Sequence, residues 1–183
     1  DQDCDGEDAT WALDSGDFHN CLVNTEGALH CWGIDVPGHE TDEGQVSSTP
    51  TEGTWSLLSA GYRNNCALDS TGTIQCWGQN TSTPPTGTFR QLVASYANNC
   101  ALDTVGGLSC WHGSGTDTAA PTGTFVQVAG NINHRCAIDN QGEIQCWGAG
   151  LNNTGTNYNY GQSDPPAGAF TELQSGDYFF CAQ

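Results

Sequence analysis

The clearest pattern of hydrophobic and polar positions is an alternation between pairs of cysteines ten residues apart. In residues 66–76 the two end cysteines pair across a hairpin, which places Leu68 opposite Ile74 on the face of the cysteines. Residues 70–72, Ser-Thr-Gly, then form a three-residue loop with glycine where a left-handed residue is needed. The pattern therefore predicts a β-hairpin of fixed register whose cysteine face is core.

Four copies of this hairpin occur along the chain. Directly opposed residues of an antiparallel pair have Cα atoms about 4.5 Å apart, near the lower limit for a disulfide, so each hairpin can be bridged within itself. Zinc is the competing use of so many cysteines, but zinc ligands usually lie two to four residues apart. The predicted disulfides are Cys21–Cys31, Cys66–Cys76, Cys100–Cys110 and Cys136–Cys146.

A strand-like segment that begins with an aromatic residue precedes each hairpin, and a fifth such segment precedes Cys181. The first segment is one residue shorter than the others, which predicts a deletion near Gly16. The five aromatic residues are Trp11, Trp55, Phe89, Phe125 and Phe170. Each complete unit therefore holds at least three short antiparallel strands.

Units of this length and content are typical of β-propeller blades, because so small a sheet buries its two faces only by stacking on neighbours. Two connections, residues 34–53 and 149–168, are longer than the others. Insertions in repeat proteins lie in loops on one face, which is often the binding face. We therefore expect these two loops to carry recognition.

The recurring motif, as in residues 61–78 and 130–148, resembles the regulator of chromosome condensation repeat in its cysteine-rich bacterial extracellular form. The resemblance covers about residues 10–183, and His19 and His134 match the structural histidine of that repeat. It implies an all-β propeller. Family members usually close with seven blades, whereas this chain has five openings, so we expect five blades with one disulfide each. An excerpt of a longer array and a subunit completed by a neighbour are the alternatives.

The expected domain organisation is an N-terminal acidic segment, residues 1–9, followed by one propeller domain, residues 10–183. The repeats are expected at about residues 10–53, 54–87, 88–123, 124–168 and 169–183.

Composition places the chain in an oxidising compartment. Ten cysteines in 183 residues favour a secreted, periplasmic or cell-surface protein, and no apolar run is long enough to span a membrane. Three basic against 21 acidic residues give a net charge of −18, which repels nucleic acid and anionic lipid. The acidity indicates solubility or salty surroundings, with binding of divalent cations as the sharper alternative.

The N-terminal segment is the candidate metal site. Asp1, Asp3 and Asp5 alternate before Gly6, an arrangement in which carboxylates at every second position converge on a hard cation such as calcium. The run resembles the Asp-x-Asp-x-Asp-Gly calcium loops of bacterial surface proteins, including Asp-Cys-Asp-Gly repeats. Position 12 is alanine instead of the bidentate glutamate of a full loop, so we expect a weak site or a solvated acidic terminus.

Catalysis has little support, because no nucleophile with a base recurs beside the histidines. The family resemblance implies a recognition platform: eukaryotic members exchange nucleotide on a small GTPase and touch chromatin, which the charge opposes, and secreted bacterial members inhibit β-lactamases through loop aromatics. Candidate binding residues are Tyr158, Tyr160 and His39 in the long loops. We expect a non-enzymatic extracellular module that binds a protein or glycan at the cell surface; a lectin and an enzyme inhibitor are the alternatives. Asn80 and Asn152 lie in sequons for glycosylation.

The chain ends suggest how a fifth blade is completed. Pairing within the four hairpins leaves Cys4 and Cys181, and residues 3–6 follow the pattern of residues 75–78. The N-terminal segment can therefore supply the last strand of the fifth blade and hide its edge. Closure within one chain, which we favour here, gives a monomer with a Cys4–Cys181 bridge. Entry into the next molecule gives a head-to-tail filament.

Overall fold

The computed structural model describes residues 12–79, 81–96, 98–112, 120–131, 133–149, 160–176 and 179–183. These residues form five consecutive antiparallel sheets, four of three strands and one of two, so the all-β prediction is confirmed. No described residues form a helix long and apolar enough to cross a membrane. The strands are β1 (Ala12–Ser15), β2 (His19–Val23), β3 (Leu29–Gly33), β4 (Trp55–Ala60), β5 (Asn64–Asp69), β6 (Ile74–Gly78), β7 (Phe89–Val93), β8 (Asn98–Asp103), β9 (Leu108–His112), β10 (Phe125–Asn131), β11 (His134–Asp139), β12 (Ile144–Gly148), β13 (Leu173–Ser175) and β14 (Phe180–Ala182).

The second and third strands of the first four sheets form the predicted hairpins. In the second sheet Leu68 lies opposite Ile74, and Gly72 has a φ of 81°, as the three-residue loop requires. The four predicted hairpin disulfides are present, with Cα atoms 4.0–4.1 Å apart. Cys181 is a free, exposed thiol, and Cys4 lies outside the described residues.

The hairpin loops use some of the acidic residues as backbone acceptors. The Asp69 carboxylate accepts hydrogen bonds from the amides of Thr71 (2.8 Å) and Thr73 (2.9 Å) and from the Thr71 hydroxyl (2.7 Å). These bonds, the Thr71 hydroxyl above all, lower the pKa of Asp69 because they stabilise the charged carboxylate. Asp103 and Asp139 make the same amide bonds. Part of the acidity is therefore structural.

One expectation about the first repeat needs correction. The first repeat matches the second without a gap from Ala12 to Cys21, because Asp14 pairs with Cys21 as Ser59 pairs with Cys66. The predicted deletion near Gly16 is therefore wrong. The later inner strands carry a register shift near their start, at Trp55/Leu57 in the second sheet, before the position that aligns with Ala12. The missing residue therefore precedes Ala12 in the alignment.

The cysteine face is not the only core face. Cys66 and Leu68 of the second sheet pack against Phe89 and Leu92 of the third. On the other face of the same sheet, Leu58 and Ala67 pack against the first sheet. Stacking between two neighbours therefore buries both faces of a hairpin.

In the second, third and fourth sheets, a tryptophan of the third strand packs against the sheet before it. Trp77 packs among Cys21, Val23 and Leu29 of the first sheet, and Trp111 and Trp147 occupy the equivalent places on the second and third sheets. These three side chains are 4–8% exposed. Trp32 of the first sheet, whose preceding neighbour is absent from the described residues, is 47% exposed.

A row of buried polar contacts also joins successive sheets, and we call it the inter-sheet belt. His19 Nε2 donates to Asn65 Oδ1 over 2.7 Å, and Asn64 Nδ2 donates to Asn99 Oδ1 over 3.1 Å. Arg135, which is 1% exposed, donates to the Asn98 carbonyl over 2.8 Å. At the last junction the belt is aromatic: the rings of His134 and Phe180 meet edge to face at 4.7 Å.

The tryptophan contacts predict a contrast between equivalent positions. W77A removes a fully packed indole and is expected to lower the free energy of unfolding by about 3–5 kcal/mol. W32A is expected to lower it by no more than about 1 kcal/mol. Urea unfolding followed by circular dichroism measures both variants. An equal loss would mean that another sheet covers Trp32 in solution.

The belt predicts a pH effect at His19. Burial lowers its pKa from the ordinary 6.5, against smaller raising effects of the Asn65 hydrogen bond and the Asp14 charge. As the pH falls below 6.5, His19 therefore binds a proton in the unfolded chain but not in the folded protein. The free energy of unfolding decreases with falling pH until the pH is below the pKa of His19 in the folded protein.

The matched control is H19N, because asparagine occupies the same belt position in the second and third sheets. Between pH 7.5 and pH 5.0 the free energy of unfolding should decrease more for the unmodified protein than for H19N. Equal drops would remove His19 as the titrating group.

Candidate functional site

The turns between the first and second strands lie on one face of the stacked sheets, which we call the turn face. Phe18, Tyr62 and Tyr96 occupy these turns in the first three sheets. The rings of Phe18 and Tyr62 meet edge to face with centroids 5.4 Å apart, and those of Tyr62 and Tyr96 with centroids 4.9 Å apart. The three side chains, with Arg63, form what we call the aromatic cluster.

Close approach of neighbouring turns brings these rings together. A Cβ on Gly16 would collide with the Gly61 carbonyl oxygen, and a Cβ on Gly61 would lie 2.9 Å from the Ser95 amide nitrogen. Each glycine is followed by a turn closed by a backbone bond, from Gly16 N to His19 O and from Gly61 N to Asn64 O. The missing side chain therefore allows residues of different sheets to touch.

Arg63 connects the cluster to the long loop of residues 34–53. Its guanidinium carbon lies 5.4 Å from the Phe18 centroid and 4.9 Å from the Tyr62 centroid, within the range of cation–π attraction. The same group donates to the Glu40 carbonyl over 2.6 Å and lies 3.7 Å from the Glu43 carboxylate. One of only three arginines of the chain thus links an acidic loop to two aromatic rings.

The loop itself is anchored by Gln45, which is fully buried. The Gln45 carbonyl accepts from Asn65 Nδ2 (2.9 Å) and Trp77 Nε1 (3.0 Å) of the second sheet. Its side chain donates to the Thr41 carbonyl and accepts from the Glu43 amide, each over 2.7 Å. The loop is therefore held in place beside the turn face by these hydrogen bonds. Sequence reasoning missed Gln45, since no repeat or motif marks it.

The predicted binding residues lie in separate places. His39 is exposed in the anchored loop, and its Nδ1 lies 2.9 Å from the Thr41 hydroxyl. Tyr160 is 49% exposed and lines a groove between the fourth and fifth sheets, away from the aromatic cluster. The other predicted site residues lie outside the described residues: Tyr158, the sequon residues Asn80 and Asn152, and the metal candidates Asp1, Asp3 and Asp5. The part of the chain that the structure describes contains no cluster of three or more metal-ligating side chains.

A polar cavity of about 650 Å³ lies between the inner strands of all five sheets. Several side chains on its wall bind the backbone of the next sheet: Asp14 accepts from the Ala60 amide (2.9 Å), and Gln91 accepts from the Val128 amide (3.0 Å). Because these polar groups already bind neighbouring sheets, they are not available to a ligand. The polarity of the cavity is therefore weak evidence for a ligand site.

The comparisons with known proteins agree with this architecture. Residues 55–82 match the regulator of chromosome condensation (RCC1) repeat. No curated protein matches the sequence.

Solved structures with the same fold include plant and yeast proteins. The CRINKLY WD40 ectodomain of the Arabidopsis thaliana receptor kinase ACR4 has a TM-score of 0.66 at 22% identity, over 74% of this chain and 49% of its own. The ectodomain of the Physcomitrella patens receptor kinase CR4 gives 0.65 at 25% identity, over 74% and 38%. Prp20p from Saccharomyces cerevisiae, whose structure was described with its binding to Gsp1p and histones, gives 0.65 at 12% identity, over 93% and 55%.

This chain spans about half or less of the length of these structures. One segment of the chain therefore matches the RCC1 repeat, and the described sheets share the β-propeller fold of these structures.

Proposed function

We propose that this chain is an extracellular, non-enzymatic recognition module that binds a protein partner through its turn face. The observation that carries the proposal is the aromatic cluster, in which rings from three sheets and Arg63 converge beside an anchored loop. Tyrosine and arginine are enriched among the residues that dominate protein–protein binding energy. The cluster is partly exposed, with Tyr96 at 41%, so it is available to a partner.

The geometry favours a protein partner over a glycan. Sugars stack on open faces of aromatic rings, but Phe18 and Tyr62 meet edge to face and the Arg63 guanidinium lies near both. Aromatic edges, a tyrosine hydroxyl and backbone groups of the loop suit instead the mixed apolar and polar surface of a protein.

Charge selects among protein partners. The anchored loop adds Asp35, Glu40, Asp42 and Glu43 to a chain of net charge −18. A basic partner surface would be attracted to this loop, and salt would slow its association because exposed charges are screened.

The extracellular assignment rests on the disulfides and on the solved structures that share the fold. Four hairpin disulfides suit an oxidising compartment, and the similar structures include two receptor ectodomains. The non-enzymatic assignment rests on the histidines that the repeats share: His19 and His134 are 1–2% exposed and lie in contacts between sheets.

Assembly of copies into a filament is a second candidate function. The two-stranded fifth sheet favours it, because one edge of β14 pairs with no strand of the described residues, and the free thiol of Cys181 lies on β14. In either function we propose that the five sheets are five blades.

The recognition proposal predicts that binding depends on the aromatic cluster. An array of extracellular proteins beside a glycan array identifies ligands, and Y96A is expected to weaken a protein ligand about 30-fold or more, as for a hot-spot residue. V105A is the control, because Val105 is 79% exposed in a hairpin loop remote from the turn face.

Unfolding free energies of both variants check that the fold is retained. Glycan hits alone would make the protein a lectin. Protein binding that survives Y96A, or that is lost in V105A, would move the site away from the turn face.

A further inference from the structure

The last two sheets leave an open groove. A cavity of about 330 Å³ lies between them, lined on one side by the Cys136–Cys146 hairpin and on the other by β14. Phe170, Leu173 and Phe180 form its apolar floor, and Tyr160 and Gln162 stand on its wall. The volume is about ten times that of a water molecule in the liquid, ~30 Å³.

The other junctions show what fills this place. There, a third strand pairs with the second, and its tryptophan enters the preceding sheet: Trp147 lies among Cys100 and Leu102 of the third sheet. The fourth sheet has the same apolar surface, formed by Cys136, Ile138 and Ile144, but no tryptophan among the described residues packs on it. The groove therefore lies where the other described sheets place a third strand and its tryptophan.

The edge of the fifth sheet is suited to such a strand. β14 pairs with β13 on one side, and within the described residues no strand pairs with its other side. Cys181 lies on this strand at the position of Cys66, which in the second sheet is directly opposite its partner Cys76. The thiol of Cys181 is exposed, so an incoming cysteine in the same register would meet it.

We infer that residues 1–9 of a second copy of this chain supply the third strand of the fifth sheet, with Cys4 bonded to Cys181. Residues 3–6, Asp-Cys-Asp-Gly, follow the order of Gln75 to Gly78, so Cys4 falls opposite Cys181 and Gly6 ends the strand at the turn face. Asp5 takes the place of the tryptophan, where Tyr160 and Gln162 line the groove. This inference develops the second candidate function and does not depend on the turn face as a binding site.

Chain length favours a second copy over the same chain. Third strands end at the turn face, whereas β1 begins at Ala12 at the opposite end of its sheet. Even if the fifth sheet lay directly beside the first, that crossing would rise about 13 Å, move about 10 Å across two strand spacings and about 10 Å between sheets, or about 19 Å in a straight line. Residues 7–11 fully extended reach about 21 Å.

A straight path of that length would run through the packed side chains between the sheets. The second and third sheets make the equivalent crossing, from Gly78 to Gln91, with residues 79–90. A strand from a separate molecule carries no such limit. We therefore favour donation by a second copy over closure within one chain.

The covalent step is a thiol oxidation. The Cys4 and Cys181 thiols lose two protons and two electrons to form one S–S bond. The electrons reduce a disulfide oxidant to two thiols by exchange, and the same class of oxidant forms the four hairpin disulfides. Because donor and acceptor regions differ, each copy can give one strand and receive one, so the contact propagates head to tail.

Electrophoresis of the oxidatively folded full chain tests the inference. Without reductant we expect a ladder of multimers, and with reductant a single band. C4S and C181S should each abolish the ladder and keep the hairpin disulfides, as counted by mass spectrometry. A single monomer band without reductant would overturn the inference, as would a ladder that survives either variant.

Isotope mixing separates the two possible donors. Nitrogen-15-labelled and unlabelled chains are folded together, and the bridged Cys4–Cys181 peptides are weighed. Mixed heavy–light pairs in statistical proportion support donation by a second copy. Uniformly labelled pairs alone would mean closure within one chain, and Cys181 bonded to any other cysteine would exclude the N-terminal strand.

A peptide provides an independent readout. A synthetic peptide of residues 1–9, added in excess during folding, should bond to Cys181 and shorten the ladder. A scrambled peptide that keeps its cysteine should cap at least tenfold fewer chains. Equal capping would show simple thiol exchange at an exposed cysteine and would overturn the strand site.

Discussion

Every sheet in this protein is too small to bury its own apolar surface, and stacking against neighbours on both faces solves that problem. The central hairpins are accordingly buried on both sides: Leu68 faces the third sheet, and Ala67 faces the first. The tryptophan of the third strand completes each contact by entering the sheet before it. The disulfides act inside each sheet, where they fix the hairpin that carries this tryptophan.

Polar groups in the same interfaces set how the sheets align. A buried donor or acceptor without a partner costs about 1–3 kcal/mol, so a shifted stack would lose several such amounts at once. The belt pairs His19 with Asn65 and Asn64 with Asn99, and Asp14 and Gln91 bind the backbone of the next inner strand. Apolar contacts therefore drive stacking, and these directional bonds select one alignment.

The hairpins, their register and their disulfides were predictable, because period-two alternation and a glycine in a three-residue loop act within a few residues. The asparagines of the belt were not, since Asn65 is polar and gives no sign that it is fully buried against another sheet. The one-residue deletion of the first repeat was misplaced near Gly16, because sequence spacing shows that a residue is missing but not which strand position absorbs the change. The aromatic cluster and the Gln45 anchor depend on contacts between different repeats, and periodicity within one repeat carries no information about them.

The tryptophan contact has a direction, and this direction governs what can happen at the ends. The second, third and fourth sheets each place an indole on the sheet before them, so the first and last described sheets expose different surfaces. One end exposes Trp32, and the other exposes the groove beside β14. A twofold contact between identical ends would bury like against like: two exposed indoles, or two grooves that each lack a strand. Neither satisfies the open edge of β14, whereas a strand from outside the fifth sheet does. Wherever copies of such a directional stack associate, contact between unlike ends satisfies both, so we expect their oligomers to be directional.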